Sequence, residues 1–381
     1  LGSKADELDP SGAGDTFCGA VLAELAKGAH PVMAARKAVV LAARMIECVG
    51  PAELLKNEPQ PQADCDSRVI PDENQIDRTA HYFSTLKTVA PHDFIQPDMP
   101  FAGHTKMLDF VFATTLQQFS FWETDGTRYA YPLLAKLGGI QSKGSEYLWR
   151  AYLRYLDTNP ELFTAGYQAR ISAEELGSIY QADDGSNPMP AFELHLAKSH
   201  DYGRDMEVLG LTPHTIIEKA NTSEYPMRTL LEVLDCIGGY KEDPLRKKSN
   251  LVLEILKNRP ERFLHVGEGE ALAPIVDYHN MRACLRIGLI KIADPGLEKA
   301  VIERRLIGVE DEWAIRYAAY RAIDRAAVIS GKGVEGVSQF FFNSRKYCPE
   351  TSEPRCSDCI VNQVCIKRRE LFQPVFRTTF Y

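Results

Sequence analysis

Four of the nine cysteines of this 381-residue chain fall close together near its end, spaced Cys348-x7-Cys356-x2-Cys359-x5-Cys365. Four thiolates in so short a loop can close around one tetrahedral metal ion or one cubane cluster, whereas an isolated CxxC pair would read as a redox centre. Arg345, Lys346, Arg355, Lys367, Arg368 and Arg369 flank the loop. These cations either counter the thiolate charge or face phosphates. The other cysteines, Cys18, Cys48, Cys65, Cys236 and Cys284, are scattered through mostly apolar or helical-looking sequence and read as small buried hydrophobes. An odd, uneven count is not a disulfide framework.

Two further stretches carry chemistry. In ALAPIVDYHNMRACLRIGLI, Asp277 falls at the start of an amphipathic helix, where the helix dipole favours an ionised carboxylate. Such a group can stabilise a developing positive charge or orient a water; it can equally be a plain helix cap. In PLRKKSNLVLEIL, Lys247 could act as a nucleophile or clamp a phosphate, and the adjacent Lys248 leaves the register open. At the other end of the chain, Asp9-Pro10-Ser11-Gly12-Ala13-Gly14-Asp15 opens a helix. Its small residues let backbone N–H groups approach an anion, and Asp15 stands where it could take a proton from a hydroxyl.

The elements that must position these residues are mostly helical. Apolar residues recur at helical spacing in MLDFVFATTLQQFSFW, YLWRAYLRYL, MRTLLEVLDCI, SNLVLEILKN and EWAIRYAAYRAIDRAAVI, and convincing β-alternation is scarce. The predicted organisation is a fragment over 1–57, a Pro-, Asp- and Gln-rich linker over 58–77, a helical domain over 78–345, and a metal loop and tail over 346–381. A composition of 45% hydrophobic and 25% charged residues is that of a folded globular chain. A net charge of −8 argues against nonspecific coating of nucleic acid. No apolar run reaches the roughly 20 residues of a membrane span, and the first residues lack the features of a secretory signal, so a cytoplasmic protein is expected.

The Asp9–Asp15 loop resembles the C-terminal signature of ribokinase-like (PfkB) sugar and nucleoside kinases, over residues 1–57. The resemblance implies that Gly12, Ala13 and Gly14 form an anion hole with Asp15 as base. It also implies a kinase domain fused upstream, because that family needs a whole α/β domain ahead of the loop; residues 1–57 alone are then inactive as a kinase. The cysteine spacing resembles the iron–sulfur loop of endonuclease III-like DNA glycosylases, with a first interval one residue longer than their usual six. That likeness implies a [4Fe–4S] cluster on Cys348, Cys356, Cys359 and Cys365, with structural Zn as the alternative.

Over residues 106–381 an ordered series of segments resembles the queuosine salvage family, the queuosine 5′-phosphate N-glycosylases. The segments are QFSFW, YQARISAEEL, DDGSNPMPAFELH, RKKSN, VDYHNMRACLRIGLI, EWAIRYAAYRAI and the terminal RTTFY. The resemblance implies a mainly α, helix-hairpin-helix DNA glycosylase-like fold and a small-molecule nucleotide substrate. It makes Asp277 the catalytic carboxylate, Phe121, Trp122 and Tyr278 walls of the base pocket, Asp184 and Glu193 polar contacts, and Lys247 the partner of the 5′-phosphate. Two features depart from that family: the four-cysteine loop, and His279-Asn280-Met281 after Tyr278 in place of an RVPQ-like string. The expected function is hydrolysis of a queuosine-like nucleoside 5′-phosphate to the free base, and a nucleoside kinase would make such a phosphate. The alternatives are an iron–sulfur DNA glycosylase acting on nucleic acid with Lys247 as nucleophile, and a non-catalytic nucleotide-binding protein.

Overall fold

The computed structural model describes residues 13–26, 31–46 and 66–381, in two units, 1–64 and 65–381. In the first unit, α1 (Ala13–Ala26) packs on α2 (Pro31–Ile46), which buries Ala34, Ala38 and Met45 along one face. Gly12 lies outside the described residues, as do residues 58–65 of the expected linker, Cys48 and Cys65.

The second unit is mainly α. It opens with β1 (Val69–Pro71) and α3 (Glu73–Ser84), whose first turn is capped by Asp72 accepting from Gln75 N at 3.1 Å. Residues 66–77, expected to be linker, are thus folded: apolar Val69 and Ile76 are fully buried, and they outweigh the Pro and Asp around them. After α4 (Met107–Thr115) come β2 (Trp122–Thr124), β3 (Tyr129–Pro132), β4 (Leu134–Leu137) and β5 (Ile140–Lys143). Then follow α5 (Ser145–Leu153), α6 (Ala165–Gln168), α7 (Ala173–Tyr180), α8 (Phe192–Leu209), α9 (Pro213–Asn221), α10 (Pro226–Leu234) and α11 (Lys247–Asn258). The chain continues through α12 (Tyr278–Ile287), β6 (Ile290–Ile292), α13 (Pro295–Ile302), α14 (Val309–Ser330) and α15 (Gly333–Asn343). Among the described residues no helix is long and apolar enough to cross a membrane.

The strands form three antiparallel pairs, β1 with β6, β2 with β3 and β4 with β5. With three or four residues each they are too short to show alternation in the sequence. The β4–β5 hairpin turns at Gly138 and Gly139, both with positive φ (58° and 76°), as a two-residue turn of this hand requires. Asp183 locks it by accepting from both glycine N–H groups at 2.8 Å.

Two apolar cores result. One joins α4, α5, α8, α10 and α11; the other joins α3, α12, α14 and α15. The tail belongs to the second core: Val361, Val364, Leu371, Phe372, Val375 and Tyr381 are buried in it. The tail is therefore held by its own apolar residues, whatever its sulfurs add. Of the scattered cysteines, Cys284 is a buried hydrophobe, whereas Cys18 and Cys236 are exposed.

Candidate functional site

The two cores share a cavity of about 500 Å³, within the size range of small-molecule sites. Phe94, Phe121 and Trp149 come to it from the first core, and Tyr278 and Tyr381 from the second. One buried ion pair fixes the elements that meet there. Arg316 on α14 donates from Nη1 and Nη2 to Asp243 Oδ1 and Oδ2 at 2.7 and 2.8 Å. Its Nε donates to Val276 O at 3.1 Å, next to Asp277. Asp243 in turn accepts from Lys247 N at 2.7 Å and so caps α11. Burial would raise the Asp243 carboxyl, but the Arg316 charge holds it below its ordinary value.

Asp277 caps α12: its Oδ1 accepts from His279 N at 2.8 Å and Asn280 N at 3.1 Å. Asp277 thus caps the helix and lines the cavity at once, and Oδ2 makes no hydrogen bond among the described residues. Lys247 lines it too, and donates from Nζ to Gln118 O at 2.9 Å. Burial draws its ammonium down to about 8, against the opposing pull of Asp277. Lys248 turns away to Leu116 O (3.2 Å) and the Phe119 ring, which settles the register. Lys247, Leu251 and Glu254 stand at i, i+4 and i+7 on the cavity face of α11. His279 also lines the cavity; burial and the charge of Arg282 keep its ring neutral. Its Nδ1 accepts from Arg282 Nη2 at 3.0 Å, which leaves the proton on Nε2.

Of the aromatic residues singled out in the sequence, Phe121 and Tyr278 line the cavity. Trp122 lies beside it, stacked on Tyr129 at 4.9 Å, with Nε1 donating to Glu350 Oε1 at 3.4 Å. Asp184 and Glu193 do not reach the cavity. Asp184 is exposed and closes a turn by accepting from Ser186 N and Oγ, and exposed Glu193 pairs with Arg377. Both were placed by local motif, and the chain folds them outward. On α1, Ala13, Gly14 and Asp15 form the first turn, with Gly14 and Asp15 exposed.

Several cavity residues were not legible as site residues. Six buried side-chain atoms around the cavity have no hydrogen-bond partner: Asp98 Oδ2, Gln118 Nε2, Trp149 Nε1, Arg150 Nε, Glu254 Oε1 and Arg345 Nη1. Each such buried orphan costs on the order of 1–3 kcal/mol, and these six belong to residues that line one cavity. The helical period on α11 could have found Glu254; Asp98 and Trp149 arrive by long-range packing that no local signal carries.

The four cysteines line a second, smaller cavity of about 40 Å³ against α12. Arg286 on α12 donates from Nη1 to Cys348 Sγ at 3.0 Å, and Lys367 N donates to Cys365 Sγ at 3.3 Å. Burial lifts the Cys365 thiol to about 11, and the neighbouring Cys359, Cys348 and Cys356 sulfurs push the same way, so the four sense one another. Among the described residues no three His, Cys, Asp or Glu side chains are gathered as ligands of a single metal ion. A tetrahedral zinc would need sulfurs only about 3.8 Å apart, from its 2.3 Å bonds. A cubane takes each thiolate on a separate iron, and four thiols lining one small cavity are a donor set of the kind that either group uses. Beyond Cys348, Glu350 is buried against Trp122, Lys143, Arg282 and Gln373.

In comparisons with known proteins, residues 3–58 match the pfkB family carbohydrate kinase, a match confined to the first unit. No curated protein matches the chain.

Proposed function

We propose that the second unit is an N-glycosidase that releases the base from a queuosine-like (7-deazaguanine or modified purine) nucleoside 5′-phosphate. The observation that carries this reading is Asp277: one oxygen is spent on capping α12, and the other is unbonded in a cavity beside Lys247. As the C1′–N bond breaks, its electron pair leaves with the base. The free oxygen of Asp277 faces the positive charge growing on the ribose. Water then adds to C1′ opposite the departing base, and its proton goes to the base or to solvent. Lys143 and Arg345 on the cavity wall supply positive charge for a phosphate.

On the tail we propose a [4Fe–4S] cluster held by Cys348, Cys356, Cys359 and Cys365. Its contribution is structural, tying the loop to α12. A second reading, a DNA glycosylase with Lys247 as nucleophile, draws on the ammonium lowered to about 8, which raises the share of free amine. Incubation with queuosine 5′-phosphate and with lesion-bearing duplex DNA separates the two. We expect free base from the nucleotide, reduced by on the order of 100- to 1000-fold in Asp277→Asn. Release from DNA alone would favour the second reading; release from neither leaves a nucleotide-binding protein. Iron and sulfide in equal amounts, with visible absorbance, are expected for the tail, and stoichiometric zinc would refute the cluster.

A further inference from the structure

Between the cysteine loop and the large cavity stands one carboxylate that touches both. Glu350 is 2% exposed. Its Oε1 accepts from Arg282 Nη1, Trp122 Nε1 and Gln373 Nε2, each at 3.4 Å, and lies 3.6 Å from His279 Nδ1. Its Oε2 pairs with Nζ of Lys143, the last residue of β5 and part of the cavity wall. The loop fixes the backbone that carries this carboxylate. Arg286 Nη1 donates to Cys348 Sγ at 3.0 Å and to Pro349 O at 3.4 Å, and the restricted φ of Pro349 leaves little freedom between Cys348 and Glu350.

Lys143 stands where its charge needs support. Burial, then the charges of Arg282 and Arg345, draw its ammonium down to about 8, with Glu146 opposing. Glu146 on α5 is itself shared with Arg345 Nη2 at 3.0 Å, and His279 on α12, kept neutral by burial, also faces Lys143. Glu350 could serve only to neutralise Arg282. Arg282, however, also has Gln373 Oε1 and His279 Nδ1, whereas Lys143 forms no other ion pair among the described residues.

We infer that Glu350 is a positioning residue: carried by the cysteine loop, it holds Lys143 in the cavity wall, so that the tying of the loop sets how well the cavity takes an anionic ligand. The anionic ligand rests on the proposed nucleotide substrate; the hold on Lys143 does not.

Two measurements on the full chain test this. In the first, amine acylation across a pH series is mapped to Lys143 by mass spectrometry. An adjacent carboxylate favours the ammonium, so Glu350→Gln should lower the midpoint by about one pH unit, and Glu350→Asp should recover part of that loss. Cys356→Ser, which loosens the loop away from Glu350, should move the midpoint in the same direction. A midpoint unmoved in Glu350→Gln or in a folded Cys356→Ser protein would overturn the inference, as would a rise toward an ordinary lysine, the mark of a cavity merely opened. In the second, calorimetry compares guanosine 5′-monophosphate with guanosine at about pH 7.5 and 9, both above the second phosphate ionisation near 6. The advantage of the nucleotide should fall about tenfold in Glu350→Gln, and the deficit should grow with pH as Lys143 loses its proton. Tighter nucleotide binding in that variant would show Glu350 competing for Lys143 and would also overturn the inference. If the natural protein binds no nucleotide while the Lys143 midpoint responds as expected, the nucleotide reading fails and the positioning role stands.

Discussion

The large cavity and the cysteine loop lie at opposite ends of α12 and are held in different ways. At the N-terminal end, Asp277 is fixed through side chains: the buried Arg316–Asp243 pair reaches Val276 O and the start of α11 at once. At the C-terminal end the loop is fixed through backbone. Ile366 N donates to Ile287 O at 3.2 Å, Arg368 N donates to Arg286 O at 3.1 Å, and Gln75 Nε2 bridges Ile287 O and Val364 O at 2.9 and 2.6 Å. The cavity end gathers six side-chain polar atoms without partners, whereas the loop end is tied by these backbone bonds and gathers four sulfurs, with Asn362 Oδ1 the one unpartnered buried oxygen beside them among the described residues. The contrast matches the two proposals, a small polar molecule for the cavity end and a thiolate-bound group for the loop end.

Breaking the side-chain anchor should have the largest effect. Arg316→Met leaves Asp243 buried without its partner and should remove about 3–5 kcal/mol of unfolding free energy in urea titration; a loss under about 1 kcal/mol would show that the cavity end is not held this way. Next comes Glu254. The unfolded residue ionises near 4.5 and the folded one near 8, so the folded state holds more protons between those values and stability falls as pH rises through that window. Glu254→Gln should therefore match the natural protein below pH 4.5 and exceed it by about 4 kcal/mol at pH 8, given about 1.4 kcal/mol per pKa unit over that window. A gap that does not grow with pH would contradict the buried acid. The smallest effect should come from the loop end. Gly288 ends α12 at φ 94°, and an added Cβ would fall 2.3 Å from Ile366 Cδ1. Gly288→Ala should cost about 1 kcal/mol and hasten proteolysis between residues 346 and 369.

Much of this architecture is legible in the sequence, and the limits have physical causes. Helical periodicity gives the long elements, because α14 buries Ala318, Ala319, Ala322, Ile323 and Ala326 along one stripe. Asp277 and Lys247 are visible because each sits at a helix start with a local signature. Asp184 and Glu193 show the reverse: a motif fixes what a residue is, but its direction depends on packing from distant segments. The tail misleads for another reason, since Leu371, Phe372 and Val375 are apolar without any helical or strand period. Asp98 and Trp149 acquire meaning only in a cavity shared with Glu254 and Gln118, residues far from them in the chain.

Glu350 stands two residues past Cys348, and the indole N–H of Trp122 reaches it. A fluorophore is thereby wired to the tail. Trp149, whose indole N–H is unbonded, has no such link. When that loop slackens, Trp122 will exchange a carboxylate neighbour for water and its emission will move to the red, so the protein carries its own optical gauge of how firmly that end is tied.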